Sequence, residues 1–272
     1  YGNKPLFGLM PDWNPAEIIG FQPHLFSYSM YEKLVTKKVW ADAREQMGYK
    51  KLLKTDLMYS FSGKPYIDLR LSFHSFLPKG IKNKTEKKII NFWLEELKTK
   101  PYFHDKIEFE ITDNCYYFNL KNKINSKYNF LNSKEKKIFF KSLKNLTEKL
   151  INNYKKDYFD MNLDLVNLEK YRINTIKNYL KKKKNELNFA NLLIEECKIK
   201  GILPFAKLAR SAFIAKKILN SLVDLKVLSK RSYFKILSNL STVSNDYIHD
   251  HGSKSRDKNY LVKKEGNQKK IN

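Results

Sequence analysis

The chain has 272 residues, of which 42% are hydrophobic and 14% aromatic, with a formal net charge of +25. This is enough apolar material for a large core and too much for a disordered chain, and no run of about 18 apolar residues argues for a membrane span. Six arginines among 53 basic residues leave 47 lysines, which fits compositional drift better than a nucleic-acid reader built on bidentate Arg contacts.

Asn14-Pro15-Ala16-Glu17 reads as a helix start. Asn is a good N-cap, Pro suits the first helical position, and Glu can return a bond to the cap. Gly20 then stops the turn. A longer helix is expected over 29–48, with Tyr31, Leu34, Val35, Val39 and Ala43 on one face. In PYIDLRLSFH, Ile67, Leu69, Leu71 and Phe73 alternate with Asp68, Arg70, Ser72 and His74, predicting a half-buried strand with one polar face. Ser62-Gly63-Lys64 before it predicts a hairpin turn. Thr85 is expected to cap a helix to Thr99, with Ile89, Trp93 and Leu97 as its core stripe. IEFEI (107–111) and CYYFNL (115–120) predict a second hairpin.

Beyond Lys121 the pattern is helical. Ser133 is expected to cap a helix with Phe139, Leu143, Leu146 and Leu150 on one face, and Leu165, Leu168, Tyr171 and Tyr179 suggest another. The KKKK run (181–184) reads as a solvated face or turn. A helix from Glu186 should end at Gly201, Pro204 should begin the next, and Ser229 should cap a last one to about Ile248. The apolar stripe 189–213 reads as core. The fold class is α+β and mainly helical. An N-terminal mixed helix/β-hairpin part (1–120) packs on a C-terminal antiparallel helical bundle (121–250), followed by a basic, frayed tail (251–272).

The charge is uneven: residues 1–120 hold 18 basic against 14 acidic side chains, the remainder 35 against 14. A mixed surface suits a specific site, so function is sought in the first part. Cys115 and Cys197 form neither a metal-ligand spacing nor a disulfide framework, pointing to a reducing cytoplasm. There is no phosphate-binding glycine loop, and His24, His74, His104, His249 and His251 make no metal-binding pair, so no metal site is expected. Two stretches remain. Asp12, Trp13, Asn14 and Glu17 could form an anion site at a helix start beside an aromatic wall, or a tight corner with Trp13 in the core. Asp68, Arg70, Ser72 and His74 could hold a phosphate or carboxylate and move a proton, or be the solvent face of an edge strand.

The blocks GLMPDWNPAEIIG, SYSMYEKLVTKKVW, GYKKL, GKPYIDLRLSFHSFLP, HDKIEFEI, GILPFAKLARSAFIAKKIL and STVSND together resemble a module of bacterial phosphoenolpyruvate synthase-like proteins, over roughly residues 5–250. The resemblance implies the acceptor-substrate or interdomain module of an ATP-dependent phosphotransferase acting on pyruvate or another small acceptor. An ATP-grasp domain and a phosphohistidine domain, with ATP and Mg, would belong to the rest of a parent or partner polypeptide, this chain being a fragment that begins at Tyr1. A Tyr-Gly-His motif that usually follows the helical region in such relatives has no match in DHGSKSRDKNYLVKKEG. On this reading Asp68, Arg70 and His74 are catalytic. Asp12, Trp13, Asn14, Glu17 and Arg70 bind a small anionic substrate, with Trp13 or Asn14 near Arg70. The alternatives are a basic nucleic-acid-binding helical protein, whose lysines would cluster on one face, and a non-catalytic structural remnant.

Overall fold

The computed structural model describes residues 5–182 and 186–240. It divides into two units, Tyr1–Ile218 and Leu219–Asn272. The fold is α+β and mainly helical. In chain order the elements are β1 (Phe7–Gly8), α1 (Pro15–Ile18), α2 (Leu25–Tyr31), α3 (Val39–Gln46), β2 (Met58–Phe61), β3 (Lys64–Asp68), α4 (Leu69–Ser75), α5 (Asn83–Thr99), α6 (Leu120–Lys127), α7 (Ser133–Lys182), α8 (Glu186–Cys197), α9 (Leu203–Asp224) and α10 (Lys230–Ser238). Three π turns, Glu32–Thr36, Ile107–Ile111 and Lys198–Ile202, punctuate them. No described helix is long and apolar enough to cross a membrane.

The three strands form an antiparallel sheet in the order β1-β3-β2. The expected hairpin is β2–β3, closed where Phe61 pairs with Lys64. Its two turn residues, Ser62 (φ 51°) and Gly63 (φ 76°), supply the pair of positive φ angles that a two-residue type I′ turn requires. The strand does not run on to His74, however. It ends at Asp68, whose carboxylate accepts from the Arg70 backbone N–H at 2.9 Å and caps α4. The alternation in 67–74 misleads because Leu69, Phe73, Phe76 and Leu77 also fit helical spacing, and every residue of α4 but Arg70 is buried, including Ser72, His74 and Ser75.

The second expected hairpin is likewise absent. IEFEI coils into a π turn closed by Thr112 N–H donating to the Ile107 carbonyl at 2.8 Å, with Ile107 and Ile111 both buried. Residues 115–119 form no strand. The expected helix over 29–48 is broken by the π turn after Tyr31, and the Thr36 carbonyl accepts instead from Leu57 N–H at 3.0 Å. Thr85 lies inside the first turn of α5 rather than capping it, and donates to Glu135 of α7 at 3.1 Å. α7 is capped by Asn132, one residue before the expected Ser133. Asn132 Oδ1 accepts from Glu135 N–H at 2.8 Å, and Glu135 Oε2 accepts from Asn132 N–H at 3.0 Å, a reciprocal capping box.

α7 is one helix of 50 residues where the sequence suggested two. Between α8 and α9 the expected stop at Gly201 and restart at Pro204 is bridged by a π turn, which closes with Leu203 N–H on the Lys198 carbonyl. Pro204 has no N–H to give to the preceding turn, and the widened turn takes up that defect.

Two large apolar clusters build the first unit, with a small third of Met47, Tyr49 and Leu146 beside them. One large cluster gathers Leu69, Phe73, Phe76, Trp93, Tyr128 and Phe139 from α4 and its end, α5, the end of α6 and the start of α7. The other gathers Tyr31, Val35, Trp40, Leu57 and Ile67, with Trp13 packed on its edge. A boundary at about residue 120 falls inside the first cluster, which continues to Leu143. Beneath it lies a buried polar knot. Asp113 accepts from the hydroxyls of Tyr117 (2.5 Å) and Tyr128 (2.6 Å), with Lys123 at 3.0 Å and Lys217 at 3.9 Å. Burial alone would raise the Asp113 carboxyl, but Lys123, Lys217 and the two hydroxyls outweigh it and hold it well below the usual carboxylate range. In the second unit, Ser229 caps α10 as expected, accepting from Ser232 N–H at 3.0 Å, but the helix ends at Ser238 rather than near residue 248. STVSND, His249, His251 and the basic tail lie outside the described residues.

Candidate functional site

The stretch GLMPDWNPAEIIG is a folded corner with a charged point. Gly8 pairs with Ile67 in the sheet, and a Cβ there would come within 2.7 Å of the Pro11 ring, so only glycine lets Pro11 fold back on the strand. The chain then passes through two positive-φ residues, Asp12 (50°) and Asn14 (30°). Asp and Asn tolerate that region better than other residues with a Cβ, and such conformations gather at functional sites. Asn14 caps α1 as expected, accepting from Glu17 N–H at 3.3 Å, and its side-chain amide donates to the Glu17 carboxylate. With four residues, α1 is too short to build an anion site on its own dipole.

The corner aims the Asp12 carboxylate inward. Arg44 of α3 grips it with both terminal nitrogens, at 2.9 and 2.5 Å, and Ser72 donates to it at 2.7 Å. Arg44 also donates to Ser75, and its guanidinium lies 4.2 Å from the Phe76 ring centroid. Glu108, carried by the second π turn, stands between two guanidinium groups, 3.8 Å from Arg44 and 3.2 Å from Arg210 of α9. Arg210 donates through Nε to the Tyr49 hydroxyl at 3.1 Å, and Tyr49 donates to the Asn114 carbonyl at 3.0 Å. The result is a chain of alternating charge, Asp12–Arg44–Glu108–Arg210, almost wholly buried. Burial pushes the Glu108 carboxyl up, against the opposing pull of Arg210.

Over these four side chains lies a cavity of about 290 Å³. Trp13, Trp40, Phe109, Phe205 and Phe213 give it aromatic sides, and Asn14 and Glu17 stand among its lining. A mainly apolar pocket with a few convergent charges is the usual form of a small-molecule site. Arg210 donates through Nε and Nη1 and makes no other hydrogen bond to the described residues, so Nη2 is available to a ligand.

The expected site is therefore half assembled. Asp12, Trp13, Asn14 and Glu17 all line the cavity. Asp68, Arg70 and His74 do not. Arg70 forks onto Asp68 at 3.1 and 2.7 Å, and His74 sits buried 3.5 Å from Glu86, which Lys50 also pairs. The member of that row which reaches the opening stretch is Ser72, not Arg70. Arg44, Glu108 and Arg210 were missed by sequence reasoning. The signal for two of them was scarcity: with six arginines among 53 basic residues, each Arg stands out. Among the described residues no group of three or more His, Cys, Asp or Glu side chains is placed to hold a metal ion. No protein-family model, no curated protein and no solved structure matches the chain.

Proposed function

We propose that the cavity over Asp12, Arg44, Glu108 and Arg210 binds a small anionic acceptor, as the acceptor-substrate module of a phosphoenolpyruvate synthase-like phosphotransferase. The phosphoryl group would come from ATP-grasp and phosphohistidine domains of a parent or partner polypeptide. One observation carries this reading: sequence blocks far apart in the chain converge on one cavity and the charges beneath it. GLMPDWNPAEIIG gives Asp12 and Trp13, SYSMYEKLVTKKVW gives Trp40, and GYKKL gives Tyr49. PYIDLRLSFHSF gives Ser72, Ser75 and Phe76, HDKIEFEI gives Glu108 and Phe109, and GILPFAKLARSAFIAKKIL gives Phe205, Arg210 and Phe213. Arg210 Nη2 would take a carboxylate or phosphate oxygen, and the aromatic sides would exclude water. Glu108 is held near two cations and raised by burial, so it could accept a proton from the acceptor as the phosphoryl group arrives. Phosphoryl transfer asks a protein chiefly for positioning and charge stabilisation.

Thermal shift with pyruvate, phosphoenolpyruvate and inorganic phosphate tests this. A ligand at about 100 times its Kd should stabilise the chain by about 2.7 kcal/mol, visible as a rise of several degrees. The rise should vanish in Ala209→Trp, which fills the cavity while leaving its charges in place, and shrink in Arg210→Lys. No rise with any of the three ligands removes the reading.

A further inference from the structure

α7 carries two apolar stripes beyond residue 157. One is used inside the unit: Leu168 packs beside Gly201, and Tyr179 stacks on Phe189 at 4.4 Å. The other has no cover among the described residues. Phe159, Val166, Ile173 and Leu180 recur at intervals of seven and are 67, 51, 39 and 63% exposed. Leu163, four residues after Phe159, is 49% exposed. Apolar side chains at seven-residue intervals form the seam by which one helix packs on another.

The charges of the same stretch are segregated. Residues 157–169 hold Asp157, Asp160, Asp164 and Glu169 and no base, whereas 170–181 hold Lys170, Arg172, Lys177 and Lys181 and no acid. Only Glu169 and Arg172 pair with one another across the boundary, at 2.6 Å. The stripe is centred on that boundary, since Phe159 and Leu180 stand equally far from it, as do Val166 and Ile173.

We propose that α7 pairs with α7 of a second copy of this chain, antiparallel, about a two-fold axis between positions 169 and 170. Antiparallel pairing sets the acidic half of each helix against the basic half of the other, and Phe159 and Val166 against the far end of the partner's stripe. Parallel pairing sets acid on acid and base on base, which costs rather than gains. Lys170 and Lys177 lie along the seam and can cover it with their methylene stems while their ammonium groups reach the opposing acids. The interface is isologous, the commonest closed arrangement of identical chains.

Sedimentation equilibrium on the 272-residue chain, over about 1 to 500 µM, should show a monomer–dimer equilibrium. Val166→Glu with Ile173→Glu should weaken it at least tenfold with helix content unchanged by circular dichroism. Asp160→Lys with Asp164→Lys should also weaken it, and adding Lys177→Glu and Lys181→Glu should restore it. Spin labels at position 170 should lie close together in the dimer, and labels at 181 about 35 Å apart. A chain that stays monomeric throughout overturns the proposal, as does a dimer that ignores both variant pairs. Labels equally close at 170 and 181 overturn the antiparallel arrangement.

Discussion

Two regions of the first unit treat charge in opposite ways. Around the cavity, Asp12, Arg44, Glu108 and Arg210 are almost wholly buried, and each sits beside its opposite. Along the far half of α7 the acids and bases, all exposed except the half-buried Asp164, are sorted into separate blocks. A buried charge must be satisfied within the fold, because desolvation makes an orphan costly. An exposed charge is solvated wherever it lies, so its placement is free to serve something outside the monomer. The same contrast holds for the apolar groups: Trp40 and Phe76 are fully buried, whereas Phe159 and Leu180 stand open.

The contrast is broken most severely at Arg44. Arg44→Met leaves Asp12 buried without its cation and should cost about 3–5 kcal/mol, read as a fall in the urea midpoint with unchanged slope. Acid should act next, through the buried carboxylates. Burial opposes ionisation of Asp113 and Glu86, but Lys123 and Lys217 around the first, and His74 and Lys50 around the second, lower both. Because the folded values are depressed, the unfolded chain takes up protons first. The stabilisation is complete above the ordinary carboxylate range near pH 4 and drains away as pH falls through that range toward the folded values. A progressive loss of stability is expected over that range, and unfolding titrations at pH 7, 5 and 3 would show it, with Asp113→Asn flattening the profile.

Gly8→Ala should follow at about 1–3 kcal/mol, because the new methyl meets the Pro11 ring at 2.7 Å and must push the corner off the sheet. Smallest of all should be Ile173→Ser on α7, within about 0.5 kcal/mol for the monomer at high dilution. A large loss there would mean that the stripe is covered within the chain, and the contrast would fall.

What could be read from the sequence was chiefly local. The Asn14 cap, the Ser62-Gly63 turn and the Ser229 cap each rest on a few adjacent residues whose chemistry fixes the backbone. The strand drawn through Arg70 and the hairpin drawn through IEFEI failed because short alternation is ambiguous. The same Ile107 and Ile111 that suit one face of a strand also sit four apart, and tertiary packing chose the coil. Half of the site was legible because Asp12 to Glu17 are contiguous. The other half was not, because Arg44, Glu108 and Arg210 are 64 and 102 residues apart and meet only through the fold. Arg210 moreover sits in an apolar helix that reads as core, yet Phe205 and Phe213 on that helix line the cavity.

The π turn at Lys198–Ile202 acts as a phase shifter between two helices. A helix advances about 100° per residue, and a π turn inserts one residue without breaking the rod. α8 can therefore show one azimuth to α7 while α9 shows another to the cavity. Arg210 and Lys217 both lie after the shift, so their bearings are geared together: Arg210 to Glu108, and Lys217 to the carbonyls of Glu108 and Thr112. Removing one residue from 198–202 would leave α8 in place and turn both cations away from their partners at once. A single-residue deletion there would thus disable the cavity floor and the Asp113 knot together, at a distance from each.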